Sequence, residues 1–205
     1  MKPEVDQPEN PLFTNGENWN MNACVGDNGG PYTLFQYSEG FFESSHETVD
    51  LIRSRAAKID LLIYPIAFSY RHGIELMLKQ LLTSMNNLLE TGEGFKKRHQ
   101  MSQLWGDMLE LAGKYEEQLI EPEAIERAGV IIGHFDDFDP TGQVFRYPED
   151  IKGNRHLSNH KLINVEVLQT HMKELQEILR RWYYQIEEHY GWMMDGRADM
   201  GDYYQ

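Results

Sequence analysis

Apolar side chains recur every third or fourth position along five stretches of this chain, which commits it to helices packed lengthwise. Val49, Ile52, Ala56, Ile59 and Ile63 make the first stripe, and Ile74, Met77, Leu78, Leu81, Leu82, Met85 and Leu88 the second. Leu104, Trp105, Met108, Leu111, Ala112 and Tyr115 follow, then Ile125, Ala128, Ile132, Phe135 and Phe138. Leu168, Met172, Leu175, Leu179, Trp182 and Ile186 form a short heptad seam, suited to packing in the bundle or across a dimer axis. No strand alternation and no repeat persists. The expected fold is all-α, a four- to five-helix up-and-down bundle over residues 43–190.

Local signals set the expected boundaries. Ser45 can cap a first helix. Pro65 kinks or restarts the chain, so a second helix is expected from about 66 to 89, stopped at Thr91-Gly92. A third is expected from about 102 to 115. Glu121-Pro122 opens a fourth and Asp139-Pro140 closes it. A long loop over 140–160, where function often resides, precedes a last helix from about 163 to 189. Residues 1–42, rich in Pro, Asn and Gly with scattered aromatics, read as an irregular arm with room for a short strand near Tyr32–Tyr37. Such an arm covers the body or lends its aromatics to a partner subunit. Residues 191–205 read as a poorly ordered acidic tail.

Composition narrows the function classes. A single cysteine, Cys24, excludes an internal disulfide and a Cys-rich zinc site, and points to a reducing, cytoplasmic setting. It has no basic neighbour to make it a nucleophile. No basic-then-apolar leader is seen, and no run approaches the roughly 18 apolar residues of a membrane span. The formal charge of -14 repels a phosphate backbone, so nucleic-acid binding would need a local basic patch or a basic partner. Gly26-Asp27-Asn28-Gly29-Gly30 lacks the lysine of a phosphate loop and reads as a turn. Trp182-Tyr183-Tyr184 reads as packing or a dimer face.

Arg71, Glu75 and Lys79 are four residues apart and stack along one side of the second helix. Arg71 falls in the same arc as Ile74 and Leu78, so its guanidinium needs a partner, and Glu75 is the nearest. The group is either an internal ion pair or, with His72 and His99, an anion or nucleotide pocket. A second cluster is His134, Asp136, Asp137 and Asp139. It is a divalent-ion site or simply a helix end entering an Asp-Pro turn, and successive helical positions make it hard for Asp136 and Asp137 to share one ion.

The run from Tyr70-Arg71-His72 through Glu75 to Leu78-Lys79, followed by His99 ahead of Leu104-Trp105, resembles the core helices of the HEPN (higher eukaryotes and prokaryotes nucleotide-binding) superfamily. Phe145-Arg146-Tyr147-Pro148 with Asp150 and Gly153 is similar to a loop in bacterial members. The resemblance spans about residues 45–188. It implies a helical bundle that dimerises, and in many members a ribonuclease of toxin–antitoxin or antiphage systems that needs neither metal nor cofactor. The family motif is an arginine, a polar residue, a short spacer and a histidine. Arg155-His156-Leu157-Ser158-Asn159-His160 fits best; Arg127 to His134 has a longer gap, and Arg71-His72 lacks the spacing. Arg155 would stabilise the phosphate and His160 act as base, with His156, Lys152 and Lys161 adding local positive charge. The tyrosine that follows this histidine in toxins controlled by nucleotidyltransferase antitoxins is replaced by Lys161-Leu162.

Three functions therefore stand as expectations. One is an RNA-cleaving effector, working as a homodimer. One is a non-catalytic scaffold that regulates a partner protein of the same system. One is a sensor that binds a nucleotide or anion at Arg71, His72, Glu75, Lys79 and His99.

Overall fold

The structure, a computed structural model, describes residues 10–26, 29–30, 32–55, 58–95 and 97–202. Among these are five α-helices and no strand: α1 (Leu34–Arg55), α2 (Ile59–Leu88), α3 (Met101–Ala112), α4 (Pro122–Phe138) and α5 (Val165–Asp202). The chain divides into residues 1–32 and 33–205. In the first unit a 3-10 turn, Trp19–Met21, is closed by Asn22, whose side chain bonds the backbone N–H (2.8 Å) and carbonyl (3.1 Å) of Gly16. The turn expected at Gly26–Gly30 includes Asp27 and Asn28, which lie outside the described residues.

In the second unit α2 is the central rod, packed against α1, α3 and α5, while α4 closes against α3 and α5. That position explains its composition. Every residue from Gly73 to Leu82 is buried, so a one-faced stripe would not suffice. The α1–α2 crossing is close at Gly73. Its carbonyl accepts the Ser38 hydroxyl at 2.7 Å, and a Cβ there would lie 3.1 Å from the Phe42 ring. At the other end of the core Trp182 meets Trp105 edge to face, with centroids 5.7 Å apart.

Three boundaries differ from expectation, each for a local reason. Helix α1 begins at Leu34, so the irregular stretch does not extend to residue 42 and no strand forms near Tyr32–Tyr37. Thr33-Leu34-Phe35-Gln36 is a capping box. The Gln36 Oε1 accepts the Thr33 N–H at 2.8 Å, and the Thr33 hydroxyl accepts from Phe35 at 3.3 Å. Ser45, the expected cap, lies inside α1 and donates to the Ile66 carbonyl across the helix pair. Secondly, the break between α1 and α2 falls at Lys58, which is left-handed (φ 62°), and α2 continues through Pro65. Pro65 is the seventh residue of α2, so it removes the N–H that would bond the Leu61 carbonyl, and the helix runs on without that bond. Ala56 of the first stripe lies outside the described residues. Thirdly, α5 runs to Asp202 and is not a loose tail from 191; Arg197 bonds Glu90 at the end of α2 at 2.6 Å.

His46 ties α1 to both neighbours. The Gln176 amide gives its N–H to Glu39 at 3.1 Å, so its oxygen is free to accept from His46 Nε2 at 3.0 Å. The Tyr70 hydroxyl then donates to His46 Nδ1 at 2.8 Å. Both bonds suit the neutral ring. Burial lowers the His46 pKa, helped by the nearby Lys173 ammonium and opposed by Gln176, Glu43 and Asp50. The unfolded chain therefore takes up this proton first as pH falls. The stabilisation is complete above the ordinary histidine value and is lost as pH drops below it. Melting temperature should fall between roughly pH 7.5 and pH 5.5, and fall less in His46→Gln. An equal fall in that variant would remove His46 as the source.

Candidate functional site

Two groups of polar side chains matter here, and they differ in whether their bonding capacity is already used. The first is the α2 cluster. Arg71, with its side chain 5% exposed, donates from Nη1 to Glu75 Oε2 (3.1 Å), from Nη2 to the His99 carbonyl (2.8 Å) and from Nε to the Asp139 carbonyl (3.1 Å). The other Glu75 oxygen accepts Lys79 Nζ at 2.7 Å and His99 Nδ1 at 2.8 Å. Burial alone would raise the Glu75 pKa, but the Lys79 and His99 bonds outweigh it and hold the carboxyl below its ordinary value. Gly142 roofs the guanidinium: its φ is +73°, and a Cβ there would stand 2.8 Å from Arg71 Nη1. His72 is not part of this group and packs between the Phe41 and Phe68 rings. Arg71, Glu75, Lys79 and His99 thus satisfy one another. They fasten the connection before α3 and the start of the 139–164 segment onto α2.

The acidic residues after His134 have separate tasks. The Asp136 carboxylate, carried by α4, caps α3. It accepts the backbone N–H of Met101 at 3.0 Å and of Ser102 at 3.3 Å, together with the Ser102 hydroxyl. No side chain of the α3 N-cap residue, Gln100, does this work. Asp139 accepts the N–H groups of Gln143 (2.9 Å) and Val144 (3.2 Å) and so starts the long loop. Among the described residues, no three His, Cys, Asp or Glu side chains gather closely enough to hold a metal ion.

The second group lies on that loop. Asp150 Oδ1 accepts the N–H of Lys152 at 2.7 Å and of Asn154 at 2.9 Å, and Gly153 takes φ +81°. These bonds fold 149–155 into a small hairpin, closed by an antiparallel bridge between Glu149 and Arg155. The His156 N–H bonds the Pro148 carbonyl at 3.0 Å across its neck. Leu157 then turns left-handed (φ 57°), which lets the His160 N–H reach the Leu157 carbonyl at 2.9 Å. The His160 ring sits edge-on to Phe138 at 4.6 Å.

The outcome is that Arg155, His156 and His160 line one cavity of about 450 Å³, with His134 and Asp137 on its wall. The His156 Nε2 is buried and has no hydrogen-bond partner among the described residues. The alternative pair, Arg127 and His134, is differently disposed. Arg127 is forked onto Glu174 at 2.8 and 2.7 Å and also meets His171 Nδ1 at 3.0 Å, so its charge is already matched.

A neighbouring cleft of about 550 Å³ was not anticipated as a site. Tyr64, Arg146, Tyr147, Glu149, Arg155 and His156 line it. The Arg146 guanidinium lies 5.5 Å from the Phe68 ring centre and 5.3 Å from that of Tyr147. The available signal was an arginine beside a tyrosine outside any apolar period. Comparison with family models, curated proteins and solved structures finds no match for the chain.

Proposed function

We propose that this chain is a cytoplasmic, HEPN-like effector that works as a homodimer and cleaves RNA without a metal, within a toxin–antitoxin or antiphage system. The reading is carried by one observation: Arg155, His156 and His160 line a single cavity, and Arg155 has no carboxylate partner among the described residues. Neutral His160 takes the proton of a ribose 2′-hydroxyl, and the freed oxygen attacks the adjacent phosphorus. The Arg155 guanidinium holds the charge that grows on the non-bridging oxygens. The 5′-oxygen leaves as an alcohol, taking its proton from solvent. The products are a 2′,3′-cyclic phosphate and a 5′-hydroxyl, and no co-reactant is consumed.

The net charge of -14 favours a second reading, a non-catalytic scaffold that binds a partner protein of the same system. The sensor reading is not retained, because the donors of Arg71 and Lys79 are directed at internal acceptors. Purified full-length chain incubated with single-stranded RNA and EDTA should yield fragments ending in 2′,3′-cyclic phosphate. RNA that stays intact would end the nuclease reading in favour of the scaffold.

A further inference from the structure

Arg146 and Arg155 stand apart from the other arginines. Each of the others whose side chain is described pairs with a carboxylate, as Arg53 does with Glu166, Arg98 with Asp107 and Arg180 with Glu39. Among the described residues Arg146 and Arg155 pair with none, and both line the 550 Å³ cleft. In an acidic protein, two unmatched guanidiniums facing one cleft are a seat for an anion. Arg146 uses Nη2 on the Tyr147 hydroxyl at 3.3 Å, which leaves its Nε and Nη1 hydrogens for a ligand. Ring contacts on two sides hold the guanidinium in place, so little side-chain freedom remains to be lost on binding.

The rest of the cleft suits a base more than a bare ion. Tyr64 and Tyr147 are 44% and 49% exposed, and aromatic rings left half in solvent can stack on a flat ligand. The size lies within the roughly 300–1,000 Å³ of small-ligand clefts. Glu149 lies on the same wall, and its charge repels a phosphate from that edge. The cleft adjoins the cavity of His160, since Val144, Arg155, His156 and Leu157 line both.

We infer that Tyr64, Arg146 and Tyr147 form a subsite for one unpaired nucleotide, its base stacked on tyrosine and its phosphate on Arg146, so that the RNA bound is single-stranded. The inference rests on the nuclease reading only for where the strand continues, past Arg155 to His160. A duplex hides the faces of its bases and cannot use the tyrosines.

The test is fluorescence anisotropy of a labelled single-stranded RNA with 2′-O-methyl riboses, which binds and cannot be cleaved. The full chain and its Tyr147→Leu, Tyr147→Phe, Arg146→Gln and His160→Ala variants are titrated, with circular dichroism to verify folding. Tyr147→Leu should bind about tenfold more weakly and Tyr147→Phe nearly as the wild type. Arg146→Gln should bind more weakly and reduce the salt slope by about one. His160→Ala, which removes a ring the strand passes, should weaken binding less than Tyr147→Leu. Duplex RNA of the same sequence and free AMP should compete poorly. Unchanged binding in both Tyr147→Leu and Arg146→Gln, equal competition by duplex or by AMP, or no binding by the wild type would each overturn the subsite. Loss of binding in Tyr147→Leu while the wild type leaves ordinary RNA intact would keep the subsite and discard the cleavage chemistry. Undiminished cleavage by Tyr147→Leu and Arg146→Gln would do the reverse.

Discussion

Arg71→Ala should lower the stability of the folded chain by about 3–5 kcal/mol. The loss comes less from the missing attraction than from what stays behind. Glu75 and Asp139 are both buried, and alanine leaves them without the guanidinium that faces them at 3.1 and 3.8 Å. The carbonyls of His99 and Asp139 lose their side-chain donor at the same time. Arg71→Lys should recover only part of the loss. An ammonium can meet Glu75, but it lacks the planar fork that reaches three acceptors in different directions. A urea titration followed by circular dichroism measures this, with the wild type alongside. A midpoint that does not move in Arg71→Ala would mean that the cluster does not fasten the loop to α2.

On the proposed chemistry, His160→Ala should reduce RNA cleavage by about 10²- to 10⁴-fold, the usual span for removing a general base. Arg155→Ala should reduce it by about 10²-fold or more, since the charge developing on phosphate would lose its fixed donors. Both side chains belong to exposed residues, so neither variant should melt more than slightly below the wild type. That separates them from Arg71→Ala, in which any loss of cleavage would accompany loss of fold. The assay is the rate at which cyclic-phosphate ends appear on single-stranded RNA. Cleavage that persists at the wild-type rate in both variants would remove these two residues from the chemistry, whatever its source.

What could be read in advance follows the range of each interaction along the chain. The stripe from Leu168 to Ile186 and the pairing of Arg71 with Glu75 are local, at steps of three or four residues, and a helix makes such neighbours meet. The same locality holds for the box at Thr33 to Gln36, which marks where α1 begins. The aromatics on either side mask it by suggesting an irregular arm. Pro65 points the other way: proline usually breaks a helix interior, yet α2 runs on through it. His99 is grouped with Arg71 in the sequence only as a ligand-binding residue, whereas its carbonyl takes a guanidinium N–H; the Asp139 partner was not legible, since no period links residue 71 to 139. Nor was the role of Asp136, whose carboxylate ends up against another helix, 34 and 35 positions away. Tyr64 and Tyr147 meet around one cleft only after the loop has folded back on α2.

Gly142 gives that last point a wider consequence. It belongs by position to a surface connection, where most substitutions are harmless. Yet its bare α-carbon rests on the guanidinium at the middle of the bundle. Any other amino acid there would push inward on α2, so a change made at the rim of the molecule would be felt first at its centre.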